Sequence, residues 1–145
     1  MKLRALRAGE LVALAGVVCL AVSLVRPWYE GPSGQLDAWD TFGPAVVILL
    51  ATLCAALAMI LSALTERSMA LPIATAVWCV VLGLAGVIAA LVRVLERPQD
   101  ASALCAGAWL ALAGAVLILL GAWLAIDDER PSRYRPATPE PRPRP

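Results

Sequence analysis

Four cysteines, three carboxylates and a handful of aromatic rings are the side chains here that could do chemistry. The cysteines are Cys19, Cys54, Cys79 and Cys105. Four thiolates are a ligand set for zinc or an iron–sulfur cluster. Such sites hold their ligands at one depth, usually with a C-x-x-C pair. These cysteines stand 35, 25 and 26 residues apart, each in a different apolar segment. They read more simply as small, soft packing residues. A disulfide is conceivable only between Cys19 and Cys105. The chain has no histidine, which removes the usual neutral-pH acid–base, haem ligand and metal ligand. Ser23, Ser62 and Ser102 have no neighbouring base in sequence, so nucleophilic catalysis is not expected. No catalytic residue, metal site or cofactor follows, and the chain reads as a non-enzyme.

Glu30, Asp37 and Asp40 share one stretch with Trp28, Tyr29, Trp39 and Phe42. Carboxylates among aromatic rings can bind a cation, a sugar or a partner protein. The plainer alternative is an interfacial aromatic belt with solvated charges. Contact with a partner through these seven residues is the expectation carried forward. Trp78 and Trp109 are expected to serve packing rather than ligand contact, and Trp123 to suit the inner interface.

The elements that must position these groups are apolar. Of 145 residues, 61% are hydrophobic, and 44–64, 69–92 and 101–126 contain no charged side chain. A fourth apolar run, 11–25, follows a basic start. A helix needs about 20 apolar residues to cross ~30 Å of hydrocarbon. The runs are continuous and Ala/Leu-rich, so helices are expected rather than alternating strands. The expected fold is all-α: a membrane-embedded antiparallel four-helix bundle with spans at 8–26, 44–64, 69–92 and 101–126. Residues 127–145 form a Pro/Arg-rich tail expected to be disordered, with polyproline II character. Pro27 should end the first helix and Gly31-Pro32-Ser33-Gly34 should turn the long loop. Asp37 should cap a short amphipathic turn carrying Leu36, Trp39 and Phe42. Pro44 suits a first helical turn, Thr65-Glu66-Arg67-Ser68 a tight turn with Ser68 as N-cap, and Asp100 a cap for the last helix. Pro98 should prevent the third helix from continuing. Asp127, Asp128 and Glu129 oppose the macrodipole of the last helix and should fray its end. Thr52 and Thr75, the main polar groups inside the spans, should bond to carbonyls one turn back.

Lipid removes the ordinary hydrophobic drive between helices, so close packing depends on small residues. They recur every three or four positions. Helix one offers Gly9, Gly16, Cys19 and Ser23; helix two Ala51, Ala55, Ala58 and Ser62. Helix three offers Ala76, Cys79, Gly83, Gly86 and Ala90, and helix four Gly107, Ala111, Gly114, Gly121 and Ala125. Gly83, Gly86, Gly107, Gly114 and Gly121 are the candidate seam. A period near 3.5 implies a left-handed bundle.

Charge sets the expected orientation. With the N-terminus inside, inner segments hold nine Lys and Arg residues against Arg26, Arg93 and Arg97 outside. This excess favours both termini in the cytoplasm. The start resembles a signal peptide, but no small-x-small site follows it. Partners implied are the bilayer, anionic lipid headgroups through the tail arginines, and another membrane protein or a second copy. Pro136-Ala137-Thr138-Pro139 matches a P-x-x-P pattern but adds little in so proline-rich a tail. Nucleic acid is not an expected partner.

Trp28-Tyr29, followed by Ala38-Trp39-Asp40-Thr41-Phe42 leading into an apolar helix, resembles small four-span integral membrane proteins of bacteria. These share W-[YF], a short Gly-rich loop and A-W-x-x-F. An Asp often follows in that pattern, where this chain has Gly43-Pro44-Ala45-Val46. The resemblance implies a bacterial cytoplasmic membrane and no activity. The expected role is a structural or accessory component of a membrane complex. The alternative is a small-molecule or lipid transporter acting as a homo-oligomer.

Overall fold

A computed structural model describes residues 8–32, 34–43, 46–65, 70–96, 101 and 103–129. The protein is all-α with a small accessory sheet. Its elements are α1 (Ala8–Leu24), β1 (Tyr29–Gly31), β2 (Gly34–Leu36), α2 (Ala38–Phe42), α3 (Val46–Thr65), α4 (Ala70–Leu95), β3 (Ala103–Leu104) and α5 (Ala106–Glu129). The segments Val46–Leu64, Ala74–Leu95 and Ala106–Asp127 are long and apolar enough to cross a membrane. This is a multi-pass membrane protein. The fourth apolar helix, α1, is shorter at 17 residues. Inside a membrane a helix satisfies its own backbone, which is why these uninterrupted apolar runs become helices.

Each helix packs chiefly on the next in a chain of neighbours. α5 lies against α1 on one side and α4 on the other. α3 packs on α4 and, less extensively, on α1. The α1–α5 contact is the tightest because glycines face glycines. A Cβ on Gly9 would stand 2.7 Å from the Gly121 carbonyl, and one on Gly121 2.6 Å from the Gly9 carbonyl. One turn-pair further along, a Cβ on Gly16 would meet the Gly114 carbonyl at 2.7 Å, and one on Gly114 the Gly16 carbonyl at 2.9 Å. Both helices therefore repeat glycine every seven residues, and their backbones touch where the side chains are missing. Such contact aims Cα–H groups at opposing carbonyls and adds weak hydrogen bonds to dispersion.

The α3–α4 contact is built differently. The Thr52 hydroxyl lies 2.9 Å from the Ile48 carbonyl on its own helix and 2.8 Å from the Leu82 carbonyl of α4. Gly86 makes the room, since a Cβ there would be 2.7 Å from Thr52 Oγ1. Toward the other end, Ser62 donates to the Met59 carbonyl at 2.7 Å, and the Ser62 and Thr75 hydroxyls lie 3.0 Å apart across the interface. Thr52 thus does more than bond one turn back.

Several boundaries and faces differ from expectation. α1 stops at Leu24, two residues early, because Val25 N–H and Arg26 N–H turn back to the Val22 and Ser23 carbonyls. α4 ends at Leu95, within the expected stretch from Val92 to Glu96. The last helix starts at Ala106, not 101, because Ala103–Leu104 pair as a strand. It continues three residues past Ile126, to Glu129. On α3 the buried face carries Leu49, Thr52, Ala56, Met59 and Ile60. The Ala51, Ala55, Ala58 and Ser62 stripe divides: Ser62 bonds across to Thr75 and Ala55 packs against the core, while Ala51 is half-buried and Ala58 exposed. Alanine is common enough on α3 to line any face, so small size alone does not orient that helix. Trp78 and Trp109 point away from the helix interfaces rather than into them. Pro44, residues 66–69, Pro98, Asp100 and the tail from 130 lie outside the described residues, as do the side chains of Phe42 and Pro72.

The glycine geometry separates two kinds of position. A Cβ on Gly114 would meet backbone at 2.7 Å (Leu20 N), whereas one on Gly83 would find Leu119 at 3.4 Å, an ordinary contact. We predict that Gly114→Ala lowers stability by about 1–3 kcal/mol through overpacking. Gly83→Ala should be neutral or stabilising by up to about 1 kcal/mol through helix propensity. Thermal unfolding in detergent, followed by far-ultraviolet circular dichroism, checks the contrast; equal melting of the two variants would contradict the seam.

Candidate functional site

Helix ends leave backbone groups without intrahelical partners, and one short segment, 27–39, supplies partners for three such ends. Proline at 27 cannot continue α1, so the chain turns into β1. β1 is the centre of a three-stranded antiparallel sheet of order β2-β1-β3. Its register pairs Tyr29 with Leu36 and Gly31 with Gly34 on one side, and Tyr29 with Leu104 on the other. Gly34 adopts φ +122°, a conformation open to glycine. The pairing Gly31↔Gly34 closes the hairpin where Gly31-Pro32-Ser33-Gly34 was expected to turn.

The aromatic residues of this segment are donors to helix carbonyls. Trp28 Nε1–H donates to the Ser23 carbonyl at 2.8 Å, and Trp39 Nε1–H to the Leu24 carbonyl at 3.2 Å. Both acceptors belong to the last turn of α1. Tyr29 O–H donates to the Arg93 carbonyl in the last turn of α4 at 2.6 Å. The strand backbone serves the start of α5: Gly107 N–H donates to the Pro27 carbonyl at 3.1 Å and Cys105 N–H to the Trp28 carbonyl at 2.8 Å. Gly107 is needed for that approach, because a Cβ there would lie 2.6 Å from the Pro27 carbonyl. Aromatic side chains thus stand where glycine caps usually end a helix.

The seven expected contact residues therefore divide. Trp28 and Tyr29 are 0% exposed and belong to the helix caps, not to a surface a partner can touch. Glu30, Asp37, Trp39 and Asp40 are exposed. Asp37 occupies the N-cap position of α2 with extended backbone and no side-chain cap hydrogen bond. Phe42 lies in α2, its side chain outside the described residues. No three His, Cys, Asp or Glu side chains gather as a metal site among the described residues. The five seam glycines fall on separate contacts: Gly107, Gly114 and Gly121 against α1 and the segment after it, Gly83 against α5, and Gly86 against α3. Sequence periodicity found those glycines but had no signal for indoles and a phenol serving as helix caps.

All four cysteines are free. Cys19 and Cys105 are not matched in depth, since Leu20 abuts Gly114, well along α5. Cys105 sits half-buried where β3 enters α5. Burial pushes its thiol up from the ordinary range, and the Glu30 carboxylate adds to the shift.

Two outcomes follow. Tyr29→Phe leaves the Arg93 carbonyl short of its donor and should cost about 1–3 kcal/mol; Trp39→Phe, at an exposed ring, should cost less. Thermal unfolding of both variants ranks them. In a chain keeping Cys105 alone, alkylation should follow a thiolate that forms only above the usual thiol range. Glu30→Gln removes a negative charge that disfavours the thiolate, so the rate–pH curve should move to lower pH. A curve that does not move would place Glu30 out of reach of the sulfur. Compared with protein families, with curated proteins and with solved structures, the chain matches none of them.

Proposed function

We propose that the chain is a four-span integral protein of a bacterial cytoplasmic membrane, with both termini in the cytoplasm. In this reading it serves as a non-catalytic structural or accessory component of a membrane complex. The observation that carries this is the character of its interior. The α1–α5 contact is backbone against backbone, and the hydroxyls between helices close on helix carbonyls or on each other. Among the described residues, no buried side-chain nitrogen or oxygen lacks a hydrogen-bond partner. Proton or ion pathways are built from ionisable groups inside the bilayer, and the runs 44–64, 69–92 and 101–126 carry no Asp, Glu, Lys, Arg or His. An interior whose polar groups are satisfied by one another suits a component that holds a shape for something else.

Three further points support the reading. α1 lies antiparallel along α5, which carries it through the same depth as a helix long enough to span. The excess of Lys and Arg at the termini fits a cytoplasmic location for both. Glu30, Asp37, Trp39 and Asp40 are all exposed within one short segment at the strand end, offering a partner charged groups with one aromatic anchor. The tail arginines would hold anionic headgroups on the cytoplasmic side. In the transporter alternative, Trp78 and Trp109 face outward, so a path lined by them has to run between copies of the chain.

A photo-crosslinking residue at Asp40 or Trp39, introduced into the full chain in its native membrane, tests the proposal. We expect a discrete crosslinked product with one partner or a second copy, lost when Asp37 and Asp40 are both replaced by Lys. Recovery of uncrosslinked chain alone, monomeric in mild detergent, would count against a complex.

A further inference from the structure

The five tryptophans divide into one inside and four outside. Trp28 is fully buried, whereas Trp39, Trp78, Trp109 and Trp123 are 57%, 65%, 56% and 60% exposed. The glycine contacts fix their depths. Gly107 abuts the Pro27 and Arg26 carbonyls, so Trp109, two residues along the antiparallel α5, is level with Leu24. Trp39 donates to the Leu24 carbonyl itself. These two indoles form one layer at the strand end. At the opposite end, Gly83 abuts Leu119, and counting away from that contact along α4 and α5 puts Trp78 level with Trp123. Gly9 lies between Gly121 and Ala125 of α5, which brings Gly9 and Glu10 to the same level. Two exposed indoles and a carboxylate form the second layer.

The layers are close together. Fourteen residues separate Trp109 from Trp123, about 21 Å at the helical rise of 1.5 Å per residue. On α1 the same two levels fall at Leu24 and Glu10, and Arg26 lies just past the first layer. Indoles settle at the membrane–water interface and carboxylates avoid the hydrocarbon. An ordinary bilayer has a hydrocarbon core of ~30 Å. We infer that the two headgroup boundaries lie at these indole layers, so that the lipid-facing girdle of the protein is thin and the chain resides in, or creates, a thinned patch of bilayer. Exposed Leu61 and Leu64 of α3 extend past the Trp78 level. A leucine tolerates the interfacial layer, so the exposed indoles set the boundary. The partner at this surface is short-chain lipid, whether or not the chain also joins a complex.

The test uses the full chain in phosphatidylcholine vesicles. Variants retain Trp28 and one of Trp78, Trp109 or Trp123, the other exposed tryptophans becoming Phe; a chain with Trp28 alone gives the background. Fluorescence is quenched with lipids brominated either near the glycerol or near the chain end. Each exposed indole should be quenched ~twofold or more strongly by the near-glycerol bromines, as befits an interfacial ring. The thermal midpoint of the unmodified chain should be higher in short-chain than in long-chain vesicles. Stronger quenching of Trp78 or Trp123 by chain-end bromines would overturn the inference. So would greater stability in the long-chain lipid, a measurement that needs no substitution.

Discussion

Two helices can touch backbone to backbone only where both lack side chains, and the rest of this structure is arranged around one such contact. Gly9 and Gly16 on α1 face Gly121 and Gly114 on α5, with each Cβ position occupied by the other helix's carbonyl or amide. In lipid the apolar side chains gain nothing by leaving their surroundings, so close approach and its dispersion energy must supply the drive. The contact fixes α1 antiparallel to α5 in a single register, because a slip of one residue would drive side chains into backbone. That register sets where α1 ends relative to where α5 begins, and it is why Gly107 meets the chain just after Pro27.

The strand-end segment is a consequence of that juxtaposition. With the ends of α1 and α4 and the start of α5 brought together, their otherwise unpaired carbonyls and amides sit at buried or part-buried positions. Unsatisfied groups there are costly. The segment after α1 answers with whatever donors and acceptors its residues carry: the Trp28 and Trp39 indoles, the Tyr29 phenol and the Pro27 and Trp28 carbonyls. Burying Trp28 and Tyr29 removes them from any recognition surface and leaves Glu30, Asp37, Trp39 and Asp40 outside. The same geometry brings the Glu30 carboxylate near enough to disfavour the Cys105 thiolate. The two helix pairs use different chemistry for similar ends, glycine against glycine in α1–α5 and a hydroxyl filling the space above Gly86 in α3–α4.

Charge-free runs of 21 residues or more leave one solution in hydrocarbon, so the long helices and the membrane setting were legible in the residues themselves. Seven-residue glycine spacing marked the α5 face, and Ala76, Cys79, Gly83, Gly86 and Ala90 marked the buried face of α4. On α3 the same reasoning was half right: Ser62 and Ala55 lie on the packed side, but Ala58 is exposed and the buried Ala56 was outside the stripe. What orients α3 is Thr52, whose partner Leu82 is thirty residues away. The strands were not legible at all. Three-residue segments have no periodicity to read, and Ala103–Leu104 becomes a strand only because Tyr29 and Glu30 lie beside it. Trp78 and Trp109, expected to serve packing, are found on the outside of the helices.

By composition and order alone, this chain was bound to form apolar helices, to place its charges at their ends and to lack histidine chemistry; these are local properties of each segment. Which glycines meet, which aromatic rings are hidden as caps and which are left to the lipid, and how far apart the indole layers stand were decided only by tertiary packing. Those outcomes depend on the register between helices distant in sequence, and a register exists only once two backbones are in contact.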